Sequence, residues 1–192
     1  MLLYATIGEL VLGVWVGKIK EREIVQAVRE KEISALLCSF AAFDTVDLVM
    51  EKEGESVSLA RLANLSHAIA CPVFCPVRTE FEDEKRLSVV VCNKGKVMDI
   101  VDRTTNVLDD EFEENDKIKI YSITEGRIAV LIDSDAFLPR NWQKVSKHSS
   151  VVISFLRGSC SIARDGVWKM AKDEEVPFVC VDEKAMEWGM GK

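Results

Sequence analysis

Two short stretches of this 192-residue chain place reactive side chains just beyond apolar runs. Asp133-Ser134-Asp135 follows Ile128 to Ile132, and Arg157-Gly158-Ser159-Cys160-Ser161 follows Val151 to Phe155. Ligands of open α/β sheets gather outside the carboxyl ends of strands, so if the two runs are parallel neighbours, both stretches open on one edge. Asp133 and Asp135 suit a helix N-cap and turn, where aspartate is favoured. Two such carboxylates can also share a proton or hold a divalent ion. No further ligand set accompanies them, and no metal or other cofactor is expected. The Ser159-Cys160 turn leads into a predicted helix N-terminus, where backbone N–H groups favour anions and lower a thiol's pKa. Cys160 is therefore a candidate nucleophile. The competing reading has Ser159 or Ser161 capping the helix and Cys160 buried.

Other nucleophile arrangements find less support. The chain has two histidines. His148 precedes the Val151 to Phe155 run and Cys160 follows it, a separation of roughly 15–20 Å at about 3.3 Å per residue. They cannot form a dyad. His67 falls beside the apolar stripe of a predicted helix and reads as a packed histidine. No Gly-x-Ser-x-Gly elbow, P-loop or Gly-x-Gly-x-x-Gly turn is present. Six cysteines lie at 38, 71, 75, 92, 160 and 180. Four of them sit in or beside apolar runs, which suits reduced, buried thiols and a reducing compartment.

These side chains need elements to hold them. Leu10 to Val16 reads as a buried strand, and Glu21 to Lys31 as a helix with Ile24, Ala27 and Val28 on one face. A strand near Ser34 to Phe40 precedes a helix from about Ser56 to Ala70. Ser56 or Ser58 is its candidate cap, and Leu59, Leu62, Ala63 and Ser66 form its stripe. Val73 to Val77, Leu87 to Cys92 and Val97 to Val101 are strand candidates, the last two joined at Asn93-Lys94-Gly95-Lys96. Lys117 to Ile123 alternates like a half-buried strand. Ile128 to Ile132, Val151 to Phe155 and Val176 to Val181 are continuous apolar runs, as in strands covered on both faces. Helices fit near Arg140 to Lys147 and from Ser161 to Lys172. The acidic stretch Asp109 to Asp116 reads as a solvated loop.

Composition narrows the partners. There are 25 Lys+Arg against 32 Asp+Glu, a net charge of −7. Such a chain lacks the cationic surface on which nucleic-acid or anionic-lipid affinity is built. No nucleic acid or membrane partner is expected. The opening residues lack a basic leader pattern and no apolar run is long enough to span a bilayer, so a cytoplasmic protein is expected. No repeat or linker divides residues 1–192, which read as one domain.

The segment Gly126-Arg127-Ile128-Ala129-Val130-Leu131-Ile132-Asp133-Ser134-Asp135-Ala136-Phe137-Leu138-Pro139-Arg140 resembles the nucleophile region of the carbon–nitrogen hydrolase (nitrilase/amidase) superfamily. There a Gly-rich turn leads a strand into Ile-Cys-x-Asp-x-x-Phe-Pro-Glu. The following helix, the strand Val151 to Phe155 and Trp168 in the next helix continue the match. The turn Asn93-Lys94-Gly95-Lys96-Val97 looks like the hairpin before the family's lysine motif. The resemblance implies an α/β fold, a reduced α-β-β-α sandwich of nitrilase type with mixed sheets.

The family's chemistry uses a Glu base, a Lys that stabilises the oxyanion and a Cys nucleophile. Laid on this chain, the cysteine falls on Asp133 and the aspartate after it on Asp135. The lysine falls on or beside Arg103. The glutamate falls near Phe40-Ala41, where no acid stands. A carboxylate is a far poorer nucleophile than a thiolate toward amides and nitriles, and an arginine cannot shuttle protons at neutral pH. The resemblance thus implies a non-hydrolytic small-ligand-binding or scaffold protein whose pocket candidates are Asp133, Asp135, Arg103, Ser159 and Cys160. The alternative is an amide hydrolase with a relocated nucleophile such as Cys160. Asp133 and Arg103 are expected to lie within interacting distance. The resemblance also implies a homodimer, with Trp142 or Trp168 at or near its interface. Family members run longer, so the second sheet is either smaller here or completed by Leu2 to Ile7 or a partner chain.

Overall fold

The computed structural model describes residues 1–43, 45–104, 118–158 and 161–190. The acidic stretch Asp109 to Asp116 lies outside the described residues. Strands β1 (Leu2–Ile7) and β2 (Leu10–Trp15) form an antiparallel hairpin, followed by helix α1 (Glu21–Glu30) and strand β3 (Ala35–Cys38), parallel to β2. The short strand β4 (Val46–Asp47) leads into helices α2 (Leu48–Glu53) and α3 (Ser58–Ala68). Strands β5 (Val73–Phe81), β6 (Glu84–Asn93) and β7 (Lys96–Asp102) then form an antiparallel meander. The first sheet has the order β1-β2-β3-β5-β6-β7, with β4 also paired to β5.

The second half builds another sheet. It contains β8 (Ile120–Ile123), β9 (Gly126–Ile132), a 3-10 turn over Asp133–Phe137, α4 (Pro139–Ser146), β10 (Val151–Phe155), α5 (Ser161–Asp173), β11 (Phe178–Val181) and β12 (Met186–Gly189). The order is β12-β11-β10-β9-β8, parallel through β9, β10 and β11, with an antiparallel strand at each edge. The apolar runs form the parallel centre because both of their faces are covered.

Three apolar layers result. Between the sheets, Leu12, Leu37, Phe74, Val89, Ile128, Ile132, Ile153 and Val179 interlock. Outside the first sheet, Ile24 and Val28 of α1 and Leu62, Ala63 and Leu65 of α3 pack on Leu36, Val73 and Val90. Outside the second, Trp142 and Val145 of α4 and Val167 and Ala171 of α5 pack on Leu131, Val152 and Phe178. This is an α-β-β-α sandwich with two mixed sheets. The helices lie outside because each exposes one apolar stripe, whereas each sheet has two faces to cover.

Several sequence expectations change. Leu2–Ile7 joins the first sheet, not the second, because its partner is the adjacent β2 across a two-residue turn. The second sheet is closed by the charged tail itself, as Met186–Gly189 pairs with Phe178–Val181. The β5–β6 hairpin escaped notice because its turn residues, Glu82 and Asp83, adopt positive φ (50° and 70°) without a glycine. Neither Ser56 nor Ser58 caps α3. Glu51 of the unforeseen helix α2 does so, accepting from Ser58 N at 2.7 Å and Leu59 N at 3.3 Å. A carboxylate there satisfies orphan N–H groups and opposes the helix dipole. His67 is exposed rather than buried, and lies beside Gly95 of the β6–β7 turn.

The described cysteines, Cys38, Cys71, Cys75, Cys92 and Cys180, are all free and buried. Burial pushes the thiols of Cys71, Cys92 and Cys180 up to about 12. They act as core hydrophobes rather than reactive thiols.

Candidate functional site

Strands β9 and β10 are parallel, with Ile132 opposite Phe155. The residues just past both strands are therefore neighbours on one edge of the sandwich. At the end of β9 the chain turns sharply into the 3-10 segment, and Asp133 takes φ 51°. An L-residue in this left-handed region carries strain, tolerated best by Asn and Asp.

The turn projects the Asp133 carboxylate across to the first sheet. Its Oδ2 lies 3.5 Å from Nη1 of Arg103, just past β7, and 3.8 Å from Nη2 of Arg157, just past β10. Oδ1 accepts from Arg157 N at 3.2 Å. Arg103 has no solvent-exposed side-chain surface, and Asp133 has 6%. The contact expected between Asp133 and Arg103 is thus present, deep in the molecule. Both guanidinium distances exceed the 2.7–2.9 Å typical of a direct charge-assisted hydrogen bond. This is close electrostatic pairing, not a bidentate clamp.

Asp135 does different work. It accepts from Thr104 N at 3.1 and 3.0 Å and from Thr104 Oγ1 at 2.7 Å. Burial raises its carboxyl pKa, while the Thr104 hydrogen bonds and the Arg103 charge pull the other way. Of the N-cap and turn reading of the two acids the turn holds, since both lie within the 3-10 segment, while its N-cap position is taken by Ile132. Both also fasten the end of β7 in one sheet to the end of β9 in the other. The far side of the turn is held by α4, where Asn141 Nδ2 donates to Asp135 O at 3.1 Å and Trp142 Nε1 to Ala136 O at 2.8 Å.

The structure therefore brings together Asp133, Asp135 and Arg103. Ser159 and Cys160 lie outside the described residues. Phe40, near which the resemblance places the glutamate, is buried in the inter-sheet core with Leu37 and Phe74. Arg157 and Thr104 were missed as site residues. The parallel register of β9 and β10 signals Arg157, but pairing register is not visible in either segment alone. Among the described residues, no group of three or more His, Cys, Asp or Glu is placed to hold a metal ion. No described helix is long and apolar enough to cross a membrane.

Neither a protein-family model nor a curated protein matches the sequence. The likeness is one of structure. A Glu-to-Gln variant of the amidase from Nesterenkonia sp. AN1, with an acetamide moiety added to its active-site cysteine, superposes with a TM-score of 0.72. The match covers 98% of this chain and 83% of that one at 10% identity. Nit3 of Saccharomyces cerevisiae, a member of branch 10 of the nitrilase superfamily, superposes with a TM-score of 0.67 over 84% of this chain and 67% of that one, at 13% identity.

The fold is of nitrilase type. Within the nitrilase-type sandwich, the Asp133 turn lies where strands of both sheets end together. The match in shape survives at 10% identity because the sandwich depends on apolar pattern and topology, which many sequences satisfy.

Proposed function

We propose that this chain is a non-hydrolytic, small-ligand-binding or scaffold protein on a nitrilase-type fold. The observation that carries this reading is the pairing of Asp133 with two guanidiniums. The residue that the resemblance aligns with the nucleophilic cysteine is a carboxylate neutralised by Arg103 and Arg157. A carboxylate so paired has its lone pairs turned toward cations and is a poor attacking group. Phe40, near the expected position of the base, can take no proton and sits 2% exposed in the core.

Purified protein incubated with short aliphatic amides and nitriles is expected to release no ammonia above the uncatalysed background. Hydrolysis that persists in Asp133→Asn and vanishes in Cys160→Ala would replace this reading with that of an amide hydrolase carrying a relocated nucleophile.

We also propose a homodimer. Trp142 cannot serve at its interface, because it is completely buried beneath α4, its indole filling the space over the second sheet. Trp168 remains the candidate. It is 46% exposed, stacks edge-on against Phe178 and lies on the same helix as the exposed Ile162. Large apolar side chains left half in water favour association. Sedimentation equilibrium is expected to give twice the chain mass, and Trp168→Glu to shift the population toward monomer. A concentration-independent monomer would refute the dimer.

A further inference from the structure

At the end of the sandwich opposite the Asp133 turn, the two sheets leave an open cleft of about 330 Å³. It adjoins the starts of β3 and β5 and the turns β6–β7 and β8–β9. The seven residues of β9 separate it from Asp133, roughly 20 Å at about 3.3 Å per residue. Its size falls in the lower part of the range that small-ligand sites occupy.

Three charged side chains border this cleft. They are Glu32 after α1, Lys94 in a turn of the first sheet and Glu125 in a turn of the second. Among the described residues, none of these side chains has an ion-pair or hydrogen-bond partner. Opposite charges thus share one cleft without meeting. Elsewhere on the surface they close directly, as in Arg61–Glu21 at 2.6 Å and Lys119–Asp99 at 2.9 Å. The Glu125 carboxylate is near enough to the cleft floor to act on the thiol of Cys71, which is 6% exposed there. Burial raises that thiol's pKa, the Leu36 backbone opposes the rise, and the Glu125 charge adds to it.

The walls are fixed without a ligand. Gly95 N donates to Ser66 Oγ at 3.1 Å, tying the Lys94 turn to α3. Arg127 N donates to Ser150 Oγ at 3.1 Å beside the Glu125 turn, and Val11 N to Ser34 Oγ at 3.1 Å on the floor. Lys94 and Gly95 form a two-residue hairpin turn with φ 50° and 79°. Asn is favoured at the first of these positions, so lysine there accepts backbone strain while bringing a cation to the cleft.

We propose that this cleft binds a small amino acid, its carboxylate at Lys94 and its ammonium at Glu125 with Glu32 alongside. A zwitterion supplies both missing partners at once, whereas a singly charged molecule leaves one wall unmatched. Walls already in place reduce the ordering cost of binding. The site is separate from the Asp133 turn and does not depend on the reading given for it.

The test titrates the full chain with α-aminobutyrate and γ-aminobutyrate, whose two charges stand at different separations. Butyrate and propylamine, which each keep one of those charges, are titrated beside them, and amide chemical shifts of residues 34, 94 and 125 report binding. One aminobutyrate is expected to bind at least about fivefold more tightly than butyrate or propylamine, since each of these lacks one charged contact. Lys94→Asn should weaken the zwitterion and butyrate by about fivefold and leave propylamine unchanged. Glu125→Gln should weaken the zwitterion and propylamine and leave butyrate unchanged. Because Asn suits the turn, Lys94→Asn should keep or raise the melting temperature, which separates lost binding from lost folding. Lys96→Asn, on β7 and outside the cleft, controls for loss of positive charge. Binding of butyrate or propylamine as tight as that of both zwitterions would overturn the amino-acid assignment. Absence of binding by all four compounds would overturn it too, as would binding that neither cleft variant weakens.

Discussion

Replacing Asp133 with Asn is expected to lower the unfolding free energy by about 3–5 kcal/mol, the usual consequence of stranding one partner of a buried ion pair. Asn is close in shape and tolerates the left-handed backbone that Asp133 adopts, so the loss reports charge rather than strain. The group that loses a carboxylate is Arg103, whose guanidinium has no contact with bulk water and cannot shed its proton. Arg103→Met alone should cost a similar amount, because the buried Asp133 carboxylate would lose the nearer of the guanidiniums at 3.5 and 3.8 Å. The double variant Arg103→Met/Asp133→Asn removes both charges and should recover most of the loss. Urea unfolding of the four proteins at neutral pH gives the coupling energy directly. Additive single losses, with no recovery in the double variant, would mean that the two side chains do not form a functional pair.

The second large effect concerns the scaffold behind the site. Trp142 is fully buried in the layer between α4 and the second sheet, and its indole N–H holds the Ala136 carbonyl. Trp142→Ala should destabilise the protein by about 3–5 kcal/mol, through lost apolar burial and the cavity left behind. Trp142→Phe keeps much of the volume but abandons a buried carbonyl, and should cost about 1–3 kcal/mol. The two variants should differ in where they act. Amide exchange in residues 133–138 should accelerate in Trp142→Phe well before global unfolding, because the tethered turn is released first. Unchanged exchange in that turn would show that Trp142 supports only bulk packing.

Much of the sandwich was legible in local patterns. The continuous runs at Ile128, Val151 and Val176 announce a doubly covered parallel sheet, and the 3.6-residue stripe of Leu59, Leu62, Ala63 and Ser66 places α3 with its inner face correctly turned. In α5 the pattern is less decisive. Val167 and Ala171 are buried while Ile162 is 79% exposed, because a helix with several apolar faces does not say which one its sheet will take.

The residues themselves determined that two acids and an arginine-bearing loop follow neighbouring apolar strands, and the resemblance brought Arg103 toward them. Only the tertiary structure decided the roles. Asp133 and Asp135 are separated by one residue yet bind different partners, Arg103 with Arg157 in one case and Thr104 in the other. Their positions along the chain predict turn-forming behaviour, a local interaction. They do form that turn, and what is added to it is a pairing between the ends of β7, β9 and β10, brought together by strand register and by closure of two sheets over a shared core. Side-chain periodicity reports which face a residue occupies within its own element. It does not report which distant charge will meet that face, since that depends on contacts from every other element at once.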